Sequence, residues 1–221
     1  MSLRGNFCAS RFGAVKNSSA SGGHILGQQE KLWYLPRCVC YDDKNRFVFM
    51  SQIGVEWTIK KMKKVTIYTD GACLGNPGPG GYGVVLLYNG HRKEISGGFR
   101  LTTNNRMEIY AAIAGLSALN CSCEVILYTD SRYLADAMNK GWVKRWKAKG
   151  WMRNKKEKAL NVDLWEKLLE LCDKHVVKFV WIRGHDGNPE NERCDELSTL
   201  AARQKDLPID EGYERTLNFH E

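Results

Sequence analysis

Apolar and polar positions first fall into a regular pattern at residue 64. Val65 and Ile67 alternate with Thr66 and Tyr68 up to Asp70, the period of a strand with one buried side. A glycine-rich turn, Gly71 to Gly83, is expected to follow. Tyr82 to Tyr88 and His91 to Leu101 read as the arms of a hairpin, because Asn89-Gly90 accepts the positive φ angles of a tight turn. The period then lengthens. Met107, Ala111, Ala114 and Ala118 recur at helical spacing and predict a helix over 103–119, with Thr103 or Asn104 as its cap and alanines small enough to let it lie close to a sheet. Residues 124–129 predict a fourth strand ending at Asp130. Beyond it the pattern predicts helices over 131–140, 142–150 and 162–174, a fifth strand over 176–182 and a last helix over 190–203. The order βββαβ, further helices, then βα implies an α/β fold, a five-stranded mixed sheet flanked by helices, since the last two strands are each reached through helical crossovers.

Residues 1–61 lack this pattern and are expected to form an N-terminal extension to a domain at 62–206, with 207–221 as a C-terminal tail. Residues 1–29 contain no Asp or Glu, carry Arg4, Arg11 and Lys16, and are rich in Ser, Gly and Ala. Three readings stay open: an organellar presequence, a disordered tail without function, or translation from an upstream start, since Met62 opens a natural beginning for the domain. The first would make the protein organellar; otherwise a cytoplasmic location is expected. Apolar and aromatic residues return between Lys31 and Trp57, enough for a short hairpin or ordered arm.

A chain of 221 residues has room for one ordinary domain and one core. With 43% hydrophobic and 26% charged residues it is globular by composition, and no apolar run approaches the length that spans a bilayer. The net charge of +8 is localised: from Lys144 to Lys158 eight Lys or Arg face the single acid Glu157, so this stretch holds +7 of it. Such a block is the footprint of a phosphate-backbone contact, although solvated helix faces are also often basic. The eight cysteines contain no C-x-x-C pair, which favours free thiols in a reducing compartment, with Cys73, Cys172 and Cys194 in or near the core.

Four acids occupy telling places. Asp70 ends the first strand, Asp130 follows the fourth, Glu108 lies early in the first long helix and Asp195 lies in the last. Converging carboxylates would repel one another unless cations bound there, and hard oxygen ligands suit Mg²⁺ or Mn²⁺. Each acid taken alone also reads as a cap or a solvated charge.

The stretches Thr69-Asp-Gly-Ala-Cys-Leu-Gly-Asn-Pro-Gly-Pro-Gly-Gly-Tyr-Gly83, Thr102-Thr-Asn-Asn-Arg-Met-Glu108, Tyr128-Thr-Asp-Ser131, Asn161-Val-Asp-Leu-Trp165, Gly184-His185 and Asn188-Pro-Glu-Asn-Glu-Arg-Cys-Asp-Glu-Leu197 resemble type 1 ribonuclease H, in family order over about residues 62–206. The resemblance implies an endonuclease that hydrolyses the RNA strand of RNA–DNA hybrids, leaving 3′-hydroxyl and 5′-phosphate ends. It implies that Asp70, Glu108, Asp130 and Asp195 hold two metal ions, and that His185 aids proton transfer or product release. It further implies nucleic-acid contacts by Asn76, Asn104, Asn105 and Arg106. In the basic block Trp142, Trp146 and Trp151 interleave with Lys144, Arg145, Lys147 and Lys149, and the block resembles the family's basic protrusion, which implies a grip on the DNA strand. Asn76 and Asn104 also read as turn and cap residues, and at least one tryptophan is expected to pack its helix onto the body. Asp186 departs from the pattern and would either raise the pKa of His185 or draw a cation. A monomer is expected. The rival reading is a hybrid-binding module without catalysis, disfavoured because all four acids are present.

Overall fold

The computed structural model describes residues 39–41, 47–49 and 62–217. The readings of residues 1–29 lie outside them. The hairpin expected between Lys31 and Trp57 occurs as β1 (Val39–Tyr41) paired antiparallel with β2 (Phe47–Phe49).

A second sheet is built from residues 63–181. Its strands β3 (Lys63–Cys73), β4 (Gly78–Tyr88), β5 (His91–Thr102), β6 (Cys123–Thr129) and β7 (Val176–Trp181) lie in the order β5-β4-β3-β6-β7. β3, β4 and β5 form an antiparallel meander, while β6 pairs parallel with β3 and β7 parallel with β6. This is the expected five-stranded mixed sheet, with one difference. The glycine-rich stretch is not all turn: β3 continues past Asp70, and Gly71, Ala72 and Cys73 pair with Tyr82, Gly81 and Gly80. What stops at Asp70 is the parallel ladder, whose last pair is Thr69 with Thr129.

The glycines admit helices to both faces. A Cβ on Gly71 would lie 2.4 Å from the backbone nitrogen of Glu108 in α1 (Asn104–Ser117), and one on Gly83 would lie 2.2 Å from the carbonyl oxygen of Cys194 in α5 (Pro189–Ala202). Helix α1 is buried nearly all round by Met107, Ile109, Ala111, Ala112, Ile113 and Leu116, as befits a helix between the sheet and α4 (Val162–Lys174). It has no side-chain cap of its own from Thr103; Asn76, from the turn before β4, accepts a hydrogen bond from the Asn104 backbone N–H at 3.2 Å. Helix α2 (Arg132–Asn139) is capped by Ser131, whose Oγ accepts from the Leu134 N–H, and leads into α3 (Trp142–Ala148).

Residues 207–217, expected as a tail, dock on the body. They carry α6 (Glu211–Leu217), and Asp210 is buried. The polar, proline-containing sequence gives no apolar stripe to betray this; the segment is held by an ion pair whose partner lies in α1.

Candidate active site

Three elements bring acids to the end of the parallel strand pair at the middle of the sheet. Asp70 stands where β3 loses its parallel neighbour, Asp130 directly follows β6, and Glu108 is drawn in by the close approach of α1 to Gly71. Carboxylate oxygens of Asp70, Glu108 and Asp130 all lie within 4.8 Å of one another. Asp195, the fourth candidate, sits half-buried on α5 outside that group, yet near enough for its charge to act on Asp70.

Burial and mutual repulsion set the electrostatics. Burial is the largest influence on Asp70, opposed by a hydrogen bond from Ser198 and reinforced by the charges of Asp130 and Asp195, and its pKa is pushed up to about 7. Glu108 is held well above the ordinary carboxylate range by burial and by Asp70 and Asp130. Its Oε2 is buried with no hydrogen-bond partner. An unsatisfied buried oxygen beside two other carboxylates is a costly arrangement for a protein alone and a suitable one for a hard divalent cation.

Neighbouring groups hold these acids in place. Ser198 Oγ donates to Asp70 Oδ2 at 2.6 Å, and Asn191 Nδ2 donates to Asp130 Oδ2 at 3.2 Å. Trp181 Nε1 donates to the Asp130 carbonyl at 2.9 Å, and the Arg132 guanidinium lies 4.1 Å from the centre of that indole ring. Sequence reasoning missed all four. Asn191 lies inside a motif stretch and Ser198 just past one, at i−4 and i+3 from Asp195, a spacing that marks one helix face. His185 is exposed, with φ of 53°, in the turn between β7 and α5; its neighbour Gly184 lies against Asp130, where an added Cβ would be 2.8 Å from Oδ2. Asp186 is exposed beside it.

The nucleic-acid candidates divide. Asn76 and Asn105 are exposed, and Asn104 is half-buried beside Asn76. Arg106 turns inward instead: it is 3% exposed, with Nε and Nη2 donating to Asp210 at 2.7 and 2.8 Å and Nη1 and Nη2 to Asp163 at 2.9 and 2.6 Å. At helical spacing it falls on the side of α1 facing α4 and the docked C-terminal segment, so no surface remains to meet a phosphate. Lys144, Arg145, Lys147 and Lys149 are exposed along α3 and its end. Trp142 and Trp146 are half-buried and pack on the core, Trp146 edge-on to the fully buried Trp165 at 6.3 Å. A groove of about 660 Å³ runs between α1 and α3, lined by Asn105, Tyr133, Trp142, Arg145, Trp146 and Lys149 among others. The basic helix and the candidate asparagine of α1 thereby share one surface.

No helix among the described residues is long and apolar enough to cross a membrane. Cys73, Cys121, Cys123, Cys172 and Cys194 are free thiols, with Cys194 and Cys123 buried and Cys73 and Cys172 half-buried.

Comparison with known proteins draws the same outline. The RNase H family model matches residues 62–203. Ribonuclease H of Syntrophus aciditrophicus is 70% identical over 151 residues, covering 68% of this chain and 87% of that protein. Ribonuclease HI of a Synechocystis species is 61% identical over 150 residues, covering 67% of this chain and 94% of its own. Among solved structures, LC9-RNase H1, described as a type 1 RNase H with the type 2 active-site motif, aligns with a TM-score of 0.58 at 32% identity, covering 72% of this chain and 82% of that one. With a matching domain over most of the chain and relatives this similar along nearly their whole length, the chain belongs to the ribonuclease H family.

Proposed function

We propose that this chain is an endonuclease that hydrolyses the RNA strand of RNA–DNA hybrids and leaves 3′-hydroxyl and 5′-phosphate ends. The observation that carries the reading is the meeting of Asp70, Glu108 and Asp130 within 4.8 Å, with a buried Glu108 oxygen unsatisfied. Asp70, Glu108, Asp130 and Asp195 would hold Mg²⁺, or Mn²⁺ in its place. Bound there, the cations would neutralise the acids, polarise the scissile phosphate and favour attack by water. The protein's own part is to place the strand and move protons. The groove between α1 and α3 receives the duplex backbone, with Lys144, Arg145, Lys147 and Lys149 along the DNA strand. Asn76, Asn104 and Asn105 lie together at the start of α1, suited to the 2′-hydroxyls that mark RNA. His185, on its exposed turn beside Asp130, relays a proton to or from the leaving side. The enzyme acts as a monomer, and its free thiols suit a reducing compartment such as the cytoplasm.

The test is cleavage of a labelled RNA–DNA hybrid with Mg²⁺ by the wild type and Asp70→Asn, with duplex DNA and duplex RNA as controls. Cutting confined to the RNA of the hybrid and abolished by the substitution is expected. Binding of the hybrid without cutting, in Mg²⁺ and in Mn²⁺ alike, would replace the enzyme by a hybrid-binding module.

A further inference from the structure

Asn191, Asp195 and Ser198 fall at i, i+4 and i+7 on α5, one stripe of the helix turned toward the acids. Two of the three are not acids, and both are engaged with acids on other elements. Ser198 is fully buried, and its single hydroxyl proton has two acceptors in reach: Asp70 Oδ2 at 2.6 Å and the Asp195 carbonyl oxygen at 2.9 Å. A helical serine ordinarily bonds back to its own helix, but the shorter, charge-assisted bond to a carboxylate is the stronger of the two. Asn191 is 2% exposed; its Nδ2 donates to Asp130 Oδ2 at 3.2 Å, while its Oδ1 is buried without a partner.

Helix stability alone does not select either residue. Alanine fits the space of Ser198, has the higher helix propensity and buries no hydroxyl. A buried amide with one end unsatisfied costs free energy. What the two side chains supply is a donor each to one oxygen of Asp70 and of Asp130, which fixes the direction in which those carboxylates present themselves.

We infer that Ser198 and Asn191 are positioning residues that orient Asp70 and Asp130 for a divalent cation, making the α5 stripe a support for the metal site as well as the bearer of Asp195. The inference rests on the proposed metal site. Partners that orient metal-ligating groups in this way are worth about 10–100-fold in metal affinity. The expectation for Ser198→Ala is therefore a Mg²⁺ dissociation constant raised about 10-fold. The KM for hybrid should be unchanged, while the metal-free unfolding midpoint falls modestly because a buried carboxylate loses one donor.

The experiment titrates wild type, Ser198→Ala, Asn191→Ala and Asp70→Asn with MgCl₂ alone, following amide chemical shifts, and repeats the titration with cleavage of the hybrid as the signal. A matching rightward shift of both curves for Ser198→Ala supports the inference. Asn191→Ala, judged the same way, decides it should Ser198→Ala fail to fold. If the wild type binds Mg²⁺, Asp70→Asn does not, and both alanine variants titrate like the wild type, the positioning role is wrong and the metal site stands. If Asp70→Asn binds as the wild type does, the metal site itself fails and the inference with it.

Discussion

Asp210→Ala measures what a single carboxylate beyond α5 contributes to the fold. Asp210 accepts hydrogen bonds from Thr102 Oγ1 at 2.7 Å, Arg106 Nε at 2.7 Å, Arg106 Nη2 at 2.8 Å and the Tyr213 N–H at 3.1 Å. Arg106 and Thr102 are both buried, so the substitution strands a guanidinium edge and a hydroxyl where water does not reach. Removing one member of a buried ion pair costs about 3–5 kcal/mol. Asp163 still holds the other edge of Arg106, which places the expected loss near the lower bound, about 3 kcal/mol. Asp163→Ala is the control. Its carboxylate is 45% exposed, water replaces what it gives, and the loss should be about 1 kcal/mol. At about 2–4 °C per kcal/mol, the midpoints should fall by roughly 10 °C and roughly 3 °C. Urea unfolding at neutral pH gives the free energies and thermal melting the midpoints, each followed by circular dichroism and tryptophan fluorescence. Equal losses for the two variants, or a loss below about 1 kcal/mol for Asp210→Ala, would refute the claim that burial sets the strength of this network.

Other outcomes follow from the site. In metal-free protein Asp70 is an acid whose folded pKa is raised, so the native state holds more protons than the unfolded one. Stability should decline as pH rises from near 3.8 to about 7, and Asp70→Asn should remove part of that decline, on the order of 4 kcal/mol at pH 7 in calorimetric melting. Saturating Mg²⁺ should offset the same loss in the wild type by binding only the folded state. His185→Ala should lower kcat by about 100-fold with the unfolding midpoint unchanged, because the side chain is exposed; an unaltered kcat would deny it a role in proton transfer. Lys147→Ala with Lys149→Ala should raise the Kd for hybrid and lower the slope of log K against log salt by about 2. An unchanged slope would mean that these lysines meet no phosphate.

Much of this was legible in the order of residues. Alternation at Val65 and Ile67, the Asn89-Gly90 turn and the helical spacing of Met107, Ala111 and Ala114 located the strands, hairpin and first helix, because period and turn chemistry are local properties. The glycine-rich stretch was harder. Read locally it is a turn, but glycine also lets backbones approach, and Gly71, Gly81 and Gly83 serve to seat α1 and α5 on a continuing ladder. Arg106 shows the same limit: a motif names the residue, and only the packing of α1 against α4 and the C-terminal segment turns it inward to Asp163 and Asp210.

The order of elements, the identity of the acids and the gathering of positive charge in one block are all written in the chain, since each is a matter of residue type and spacing. Tertiary structure alone decided which acids meet, that Asp195 stands apart from the closest three, that residues 207–217 belong to the body, and that Ser198 reaches Asp70 across 128 positions of chain. The reason is that burial and hydrogen bonding depend on neighbours in space. No local pattern specifies which distant side chain will fill the last lone pair of a buried carboxylate.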